Sequence, residues 1–266
     1  MPGTEPFDYL SLWGIFAATM ALALLAVVAG YFLGSRLRTE EAKKAPVGEL
    51  VGAMLTLASL LLAFTFGWAQ SHFDTRRDLL LDEANAIGTT WLRARLVPEP
   101  HRSEVRKLLH EYLEVRLQAA QSGKLQQLPE LQQAIGRSEH LHDRLWAEAG
   151  RIGEIDPQSE MAALFVASLN QVIDLHAKRV QFGLRTRIAG NIWGALYLIT
   201  LLSLGLMGYH AGLGGARPFF SMFLAVVTFS IVLLLIADLD RPYEGLLKTN
   251  QQALIDLRRL MDTNGT

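Results

Sequence analysis

Three short segments hold the residues whose types and spacing could do chemistry. The first is Phe64-Thr65-Phe66-Gly67-Trp68, aromatics at the end of an apolar run. If identical helices surround an axis, Phe64, Phe66 and Trp68 could form a hydrophobic constriction of the kind that gates by dewetting; the plainer reading is packing and interfacial anchoring. The second is FDTRRDLLLDEANAIGTTWLR, Phe73 to Arg93. Its Asp74, Asp78 and Asp82 are spaced by four, so one helical stripe is acidic. Arg76 and Arg77 stand beside it, placed to attract anions or lipid phosphates. Glu83, Asn85 and Thr89 could bind an ion only where several helices converge, and an ion-pair network within the domain is the alternative. The third is Asp238-Leu239-Asp240-Arg241-Pro242-Tyr243. Carboxylates ending an apolar helix need a partner, a wet vestibule or a cation. Arg241, or Arg76 and Arg77, would serve.

Enzyme signatures are missing. There is no G-x-S-x-G, P-loop, H-E-x-x-H or dinucleotide glycine pattern. With no Cys there is neither a thiolate nucleophile nor a Cys-based metal site. His140-Leu141-His142-Asp143 looks metal-like, but residues two apart on a helix point away from each other, so a solvated polar face is expected. No cofactor is implied and the metal question stays open. A net charge of -1 argues against nucleic acid, which needs a basic face.

The elements that must position these segments are helices. The chain of 266 residues is 50% hydrophobic and 19% charged, with a mean hydropathy of +0.21. Four stretches hold almost no charge: Leu10 to Leu33, Leu50 to Ala69, Ile192 to Ala211 and Phe219 to Ala237. Each can span about 30 Å of hydrocarbon at roughly 1.5 Å per residue. The first carries no Lys or Arg ahead of it and is too long for a cleavable signal, so it is expected to be an anchor. Aromatics such as Tyr9, Trp13, Tyr31, Trp193 and Phe219 near the ends suit the membrane interface.

Between the second and third stretches, Phe73, Leu80, Ala84, Ile87 and Trp91 recur at helical spacing. No proline interrupts Val47 to Val97 or Gln158 to Arg217. Two long helices are therefore expected, one continuing from the second span and one leading straight into the third. Pro98 and Pro100 should stop the first. Helices from His101 to Ala120 and from about Pro129 to Ala149 follow, separated by Ser122-Gly123 and ended by Gly150, Gly153 and Pro157. A last amphipathic helix carries Leu247, Ala253, Leu254, Leu257 and Leu260.

The expected fold is all-α: a four-span integral membrane protein whose long helices extend into a helical extramembrane domain between spans two and three. Its parts are a first transmembrane hairpin (1–70), the extramembrane domain (71–190), a second hairpin (191–238) and a C-terminal amphipathic helix (239–266). Arg36, Arg38, Lys43, Lys44 and Arg217 mark cytoplasmic loops, which puts the termini and the domain outside. Arg76, Arg77, Arg185, Arg187 and Arg241, near the other face, pull the opposite way.

The strings FTFGWAQSHFDTRRDLLLDEANAIGTTWLRARLVPEP, GYHAGL (208–213) and DLDRPYEGLL (238–247) together resemble the bacterial bestrophin-like family. That family is distantly similar to the bestrophins, pentameric anion channels with four spans, a helical intracellular domain and a pore lined mainly by the second span. Arg241-Pro242-Tyr243-Glu244-Gly245 looks like the turn after their last span, but their acidic calcium-binding run has no counterpart here. The resemblance implies a homo-oligomeric ion channel in the bacterial inner membrane, pentameric and anion-selective if the link holds, with lipid, inorganic ions and copies of itself as partners. The rival expectation is a non-conducting helical scaffold or sensor anchored in the membrane. A stator-type proton channel is disfavoured, because no acid lies in mid-span.

Overall fold

The structure is a computed structural model that describes residues 10–39, 45–121, 128–215, 218–241 and 250–263. Tyr9, Lys43, Lys44, Ser122-Gly123, Arg217, the Pro242 to Gly245 turn and Leu247 lie outside the described residues. All regular elements among the described residues are helical. They are α1 (Leu12–Arg36), α2 (Val47–Arg93), a 3-10 turn (Ala94–Leu96), α3 (His101–Gln121), α4 (Leu128–Ile155), α5 (Glu160–Val180), a π-helical segment (Gln181–Arg185), α6 (Gly190–Gly214), α7 (Phe219–Asp240) and α8 (Gln252–Thr263). Four of them, α1, α2, α6 and α7, are long and apolar enough to cross a membrane, and the chain is a multi-pass membrane protein.

Contacts divide the chain into two compact units, one of residues 1–73 and 187–241, the other of 74–186 and 242–266. In the first, α1 lies on α6 with backbones almost touching. A Cβ on Gly30 would collide with the carbonyl oxygen of Gly205, one on Gly34 with that of Tyr209, and one on Gly208 with that of Val27. Only glycine allows so close an approach. Several hydroxyls in the spans find partners at home: Thr56 Oγ1 donates to Gly52 O at 2.8 Å, and Thr65 Oγ1 to Leu61 O at 2.8 Å. Thr19 Oγ1 lies 2.8 Å from the Tyr197 hydroxyl, and Ser203 Oγ donates to Ile199 O at 2.7 Å. Lipid offers no alternative partner.

The second unit is built the other way, around interlocking large side chains. Ala84, Ile87 and Trp91 of α2 pack with Leu109, Tyr112 and Leu113 of α3, Leu145 of α4, Phe165, Leu169 and Val172 of α5, and Leu254 and Met261 of α8. Leu164 and Met161, also apolar residues of α5, are exposed.

Helix α2 is unbroken over 47 residues, as expected, about 70 Å at ~1.5 Å per residue. The second long helix is not continuous, and this corrects the sequence reading. After the π-helical segment the backbone leaves helical geometry between Thr186 and Ala189, and α6 restarts with Ala189 as its N-cap. No proline causes the break. The Asp240 carboxylate takes the Ile188 N–H at 2.9 Å, and Thr186 Oγ1 bonds Gln181 O at 3.4 Å, so side chains hold groups that the helix would otherwise use. Likewise α4 runs through Gly150 and Gly153 and stops only at Ile155, ahead of Pro157.

Candidate functional site

On α2 the small or polar residues Gly52, Thr56, Ser59, Ala63 and Gly67 recur every three or four positions and are all exposed on the single chain. They make one stripe along the helix. At roughly 100° per residue, Phe64 and Phe66 flank that stripe on opposite sides. Phe64 is 69% exposed, and Phe66 and Trp68 are exposed as well. Trp68 lies further round the helix, stacked on His72 with ring centroids 3.8 Å apart. The three aromatics therefore do not share one face.

Further along α2, Asp74, Asp78 and Asp82 form an exposed acidic stripe. Arg77 is exposed and Arg76 half-buried. Asn85 and Thr89 also face solvent, so they do not join Glu83 in an ion site.

Glu83 turns inward and is fully buried. Three other helices converge on it. From α3, the Tyr112 hydroxyl donates to Oε1 at 2.6 Å, and Arg116 Nε pairs with the same oxygen at 3.1 Å. From α5, Arg179 pairs with Oε2, and His176 Nδ1 lies 4.0 Å from Oε1. From α4, the His142 ring sits 4.8 Å from the Tyr112 ring and 4.9 Å from that of His176. Burial pushes the Glu83 carboxyl up, but Arg116 and Arg179 outweigh it and hold it at about 2. Burial, then the charge of Glu83, drives the Tyr112 phenol well above its ordinary range. Burial pushes His142 down to about 4 and, with Arg116 adding to it, His176 to about 3. At neutral pH the site holds one carboxylate, two guanidinium ions and two neutral imidazoles.

The sequence places Glu83 in an acidic or ion-pair cluster but does not point to Arg116, His176 and Arg179, which surround it. Tyr112 carried a signal, since it lies on the apolar stripe of its helix. His142 and His140 do point apart, but His142 is buried while His140 is exposed, so the expectation of a solvated face fails for His142. Helical spacing places the two on different sides without saying which side another helix covers.

The third segment closes the membrane unit. Asp238, Asp240 and Arg241 are all buried. Besides the Ile188 N–H, Asp240 faces Arg187 at 3.5 Å, and Arg241 donates to Leu10 O at 2.6 Å. Arg187 was read from sequence only as a charge near the membrane. In the structure it is a partner of Asp240. Among the described residues no group of three or more His, Asp or Glu could hold a metal ion.

Comparison with known proteins places this architecture. The sequence model of the Bestrophin-like domain matches residues 15–254. Crystal structures of a bacterial bestrophin homologue from Klebsiella pneumoniae share the fold. One single-substitution variant has a TM-score of 0.71 at 15% identity, covering 94% of this chain and all of that one. Another has a TM-score of 0.72 at 15% identity, covering 96% and 99%. A third structure gives 0.69 at 14%, covering 95% and 98%. No curated protein sequence matches. With the family model spanning both units and the same helical fold in crystal structures of similar length, this chain is a member of the Bestrophin-like family.

Proposed function

We propose that this chain is the subunit of a homo-oligomeric ion channel, a pentamer as in the bestrophins, whose pore is lined by α2. One observation carries the reading: α2 presents the exposed stripe Gly52, Thr56, Ser59, Ala63 and Gly67 within an apolar span. Lipid rewards large apolar side chains at such positions, whereas a water-lined axis suits small and polar ones. Phe64 and Phe66, on either side of the stripe, form the constriction, and Trp68 anchors the helix beside it. Selectivity follows from the charges that meet the ion. Arg76 and Arg77 favour anions, in keeping with the family. The evenly spaced Asp74, Asp78 and Asp82 favour a second reading, cation selectivity. The protein sits in the bacterial inner membrane with its termini and domain outside. Because the chain has no Cys, labelling of single introduced cysteines reads that orientation directly.

The test is ion flux through the purified protein in liposomes, comparing chloride with potassium. Chloride flux supports the Arg76 and Arg77 assignment, and potassium flux transfers selectivity to the acidic stripe. Phe64→Ala with Phe66→Ala should raise the current severalfold, and an unchanged current would remove the constriction. A monomer or dimer in mild detergent, without flux, would favour a membrane-anchored scaffold instead.

A further inference from the structure

The cluster around Glu83 contains an unused base. Tyr112 has one hydroxyl hydrogen, and at 2.6 Å it goes to Glu83. Toward His176 Nδ1, 3.3 Å away, the phenol oxygen can then only accept, so Nδ1 carries the ring hydrogen. His176 Nε2 is left as a lone pair, buried and without a hydrogen-bond partner among the described residues. His142 Nε2 is likewise buried without one. A lone pair repels an anion and accepts a proton, so the ligand suited to this site is a proton.

The surroundings decide what that proton would do. Facing the two rings are Glu83 from α2, Tyr112 and Arg116 from α3, Asp143 from α4 and Arg179 from α5, besides each ring facing the other. Glu83 already serves two guanidinium ions. A proton on either ring adds a third positive charge against one buried carboxylate, where water cannot screen it. All four helices contribute a group, so repulsion here loosens the whole junction.

We propose that the Glu83–Tyr112–His176–His142 junction is an acid-sensitive latch, which holds α2, α3, α4 and α5 together at neutral pH and releases them when the histidines are protonated. The sign follows from linkage. Both imidazoles stay neutral in the closed state down to about 4 and about 3, against an ordinary value of 6.5. The open state therefore binds more protons below about 6.5, and the closed state loses stability as pH falls through that window. Ion conduction is not required for the device to work.

The test is hydrogen exchange of the full chain in nanodiscs, corrected for the intrinsic pH dependence of exchange. Between pH 7 and pH 5 the protection of peptides from α3, α4 and α5 should fall by about tenfold or more, since each histidine contributes up to about tenfold per pH unit. The double variant His142→Gln, His176→Gln should show a much flatter profile. An equal fall in the variant, or no fall in the wild type, overturns the latch. Nitrogen-15 NMR of histidine-labelled wild type gives an answer even if the variant does not fold. Two rings that stay neutral at pH 5, one of them the Nδ1–H tautomer, support the proposal, and seven histidines all titrating near 6.5 refute it.

Discussion

The membrane unit and the second unit solve the same problem, holding helices together, by opposite means. In the first, glycines let α1 and α6 approach until backbone meets backbone, and hydroxyls close on nearby partners. In the second, the core is filled by Leu, Phe, Tyr and Trp side chains around a buried ionic centre. With the second unit outside the bilayer, as proposed, the difference follows from solvent. Apolar surface gains little by moving from lipid onto another helix, so close fit must supply the attraction. In water, burial of apolar surface drives association, and a carboxylate is tolerated in such a core when charged and polar groups meet it, as Arg116, Arg179 and Tyr112 meet Glu83. One helix, α2, passes from the first kind of construction to the second without a break.

The largest effect that would break this contrast is expected at Glu83. Replacing it with Ala leaves Arg116 and Arg179 without their shared carboxylate, a loss of about 3–5 kcal/mol. Thermal unfolding and exchange should show the second unit melting, while exchange in α1 and α6 stays protected. Gly34→Leu is the converse. Its side chain must displace the Tyr209 carbonyl, at a cost of about 1–3 kcal/mol or more. Protection should fall in α1 and α6 and persist in α3 to α5. If either variant melts both units equally, the contrast fails.

Tyr112→Phe sharpens the account of the ionic centre. It removes a hydrogen bond to a buried carboxylate, worth about 1.5–3 kcal/mol, and frees His176 to change tautomer. A drop in melting temperature of several degrees is expected, and no drop would mean that the guanidinium ions suffice. The smallest effect belongs to the surface. Arg144 pairs with Glu104 at 2.8 Å, both partners well exposed, so Arg144→Ala should cost under about 1 kcal/mol.

The predictions at Glu83 and Tyr112 concern residues that the sequence revealed unequally. The sequence marks Glu83 only as a member, with Asn85 and Thr89, of a possible ion site or ion-pair network. Its partners lie 29 to 96 positions away. Arg116, His176 and Arg179 each look like ordinary polar residues on their own helices, and nothing in their spacing joins them. Asp240 is similar: an acid after a span needs a partner, but that the partners are Arg187 and the Ile188 N–H is a matter of how two helix ends meet.

By itself the sequence determined the four spans, the unbroken run of α2 and the ends of most helices. Those depend on length, apolar composition and local breakers such as Pro98 and Pro157, which act within a few residues. Tertiary structure alone decided the break between Thr186 and Ala189, the glycine contacts of α1 with α6 and the set of groups around Glu83. Periodicity records which face of a helix is kept from water. Which neighbour covers that face depends on residues far along the chain, and only the folded molecule brings them together.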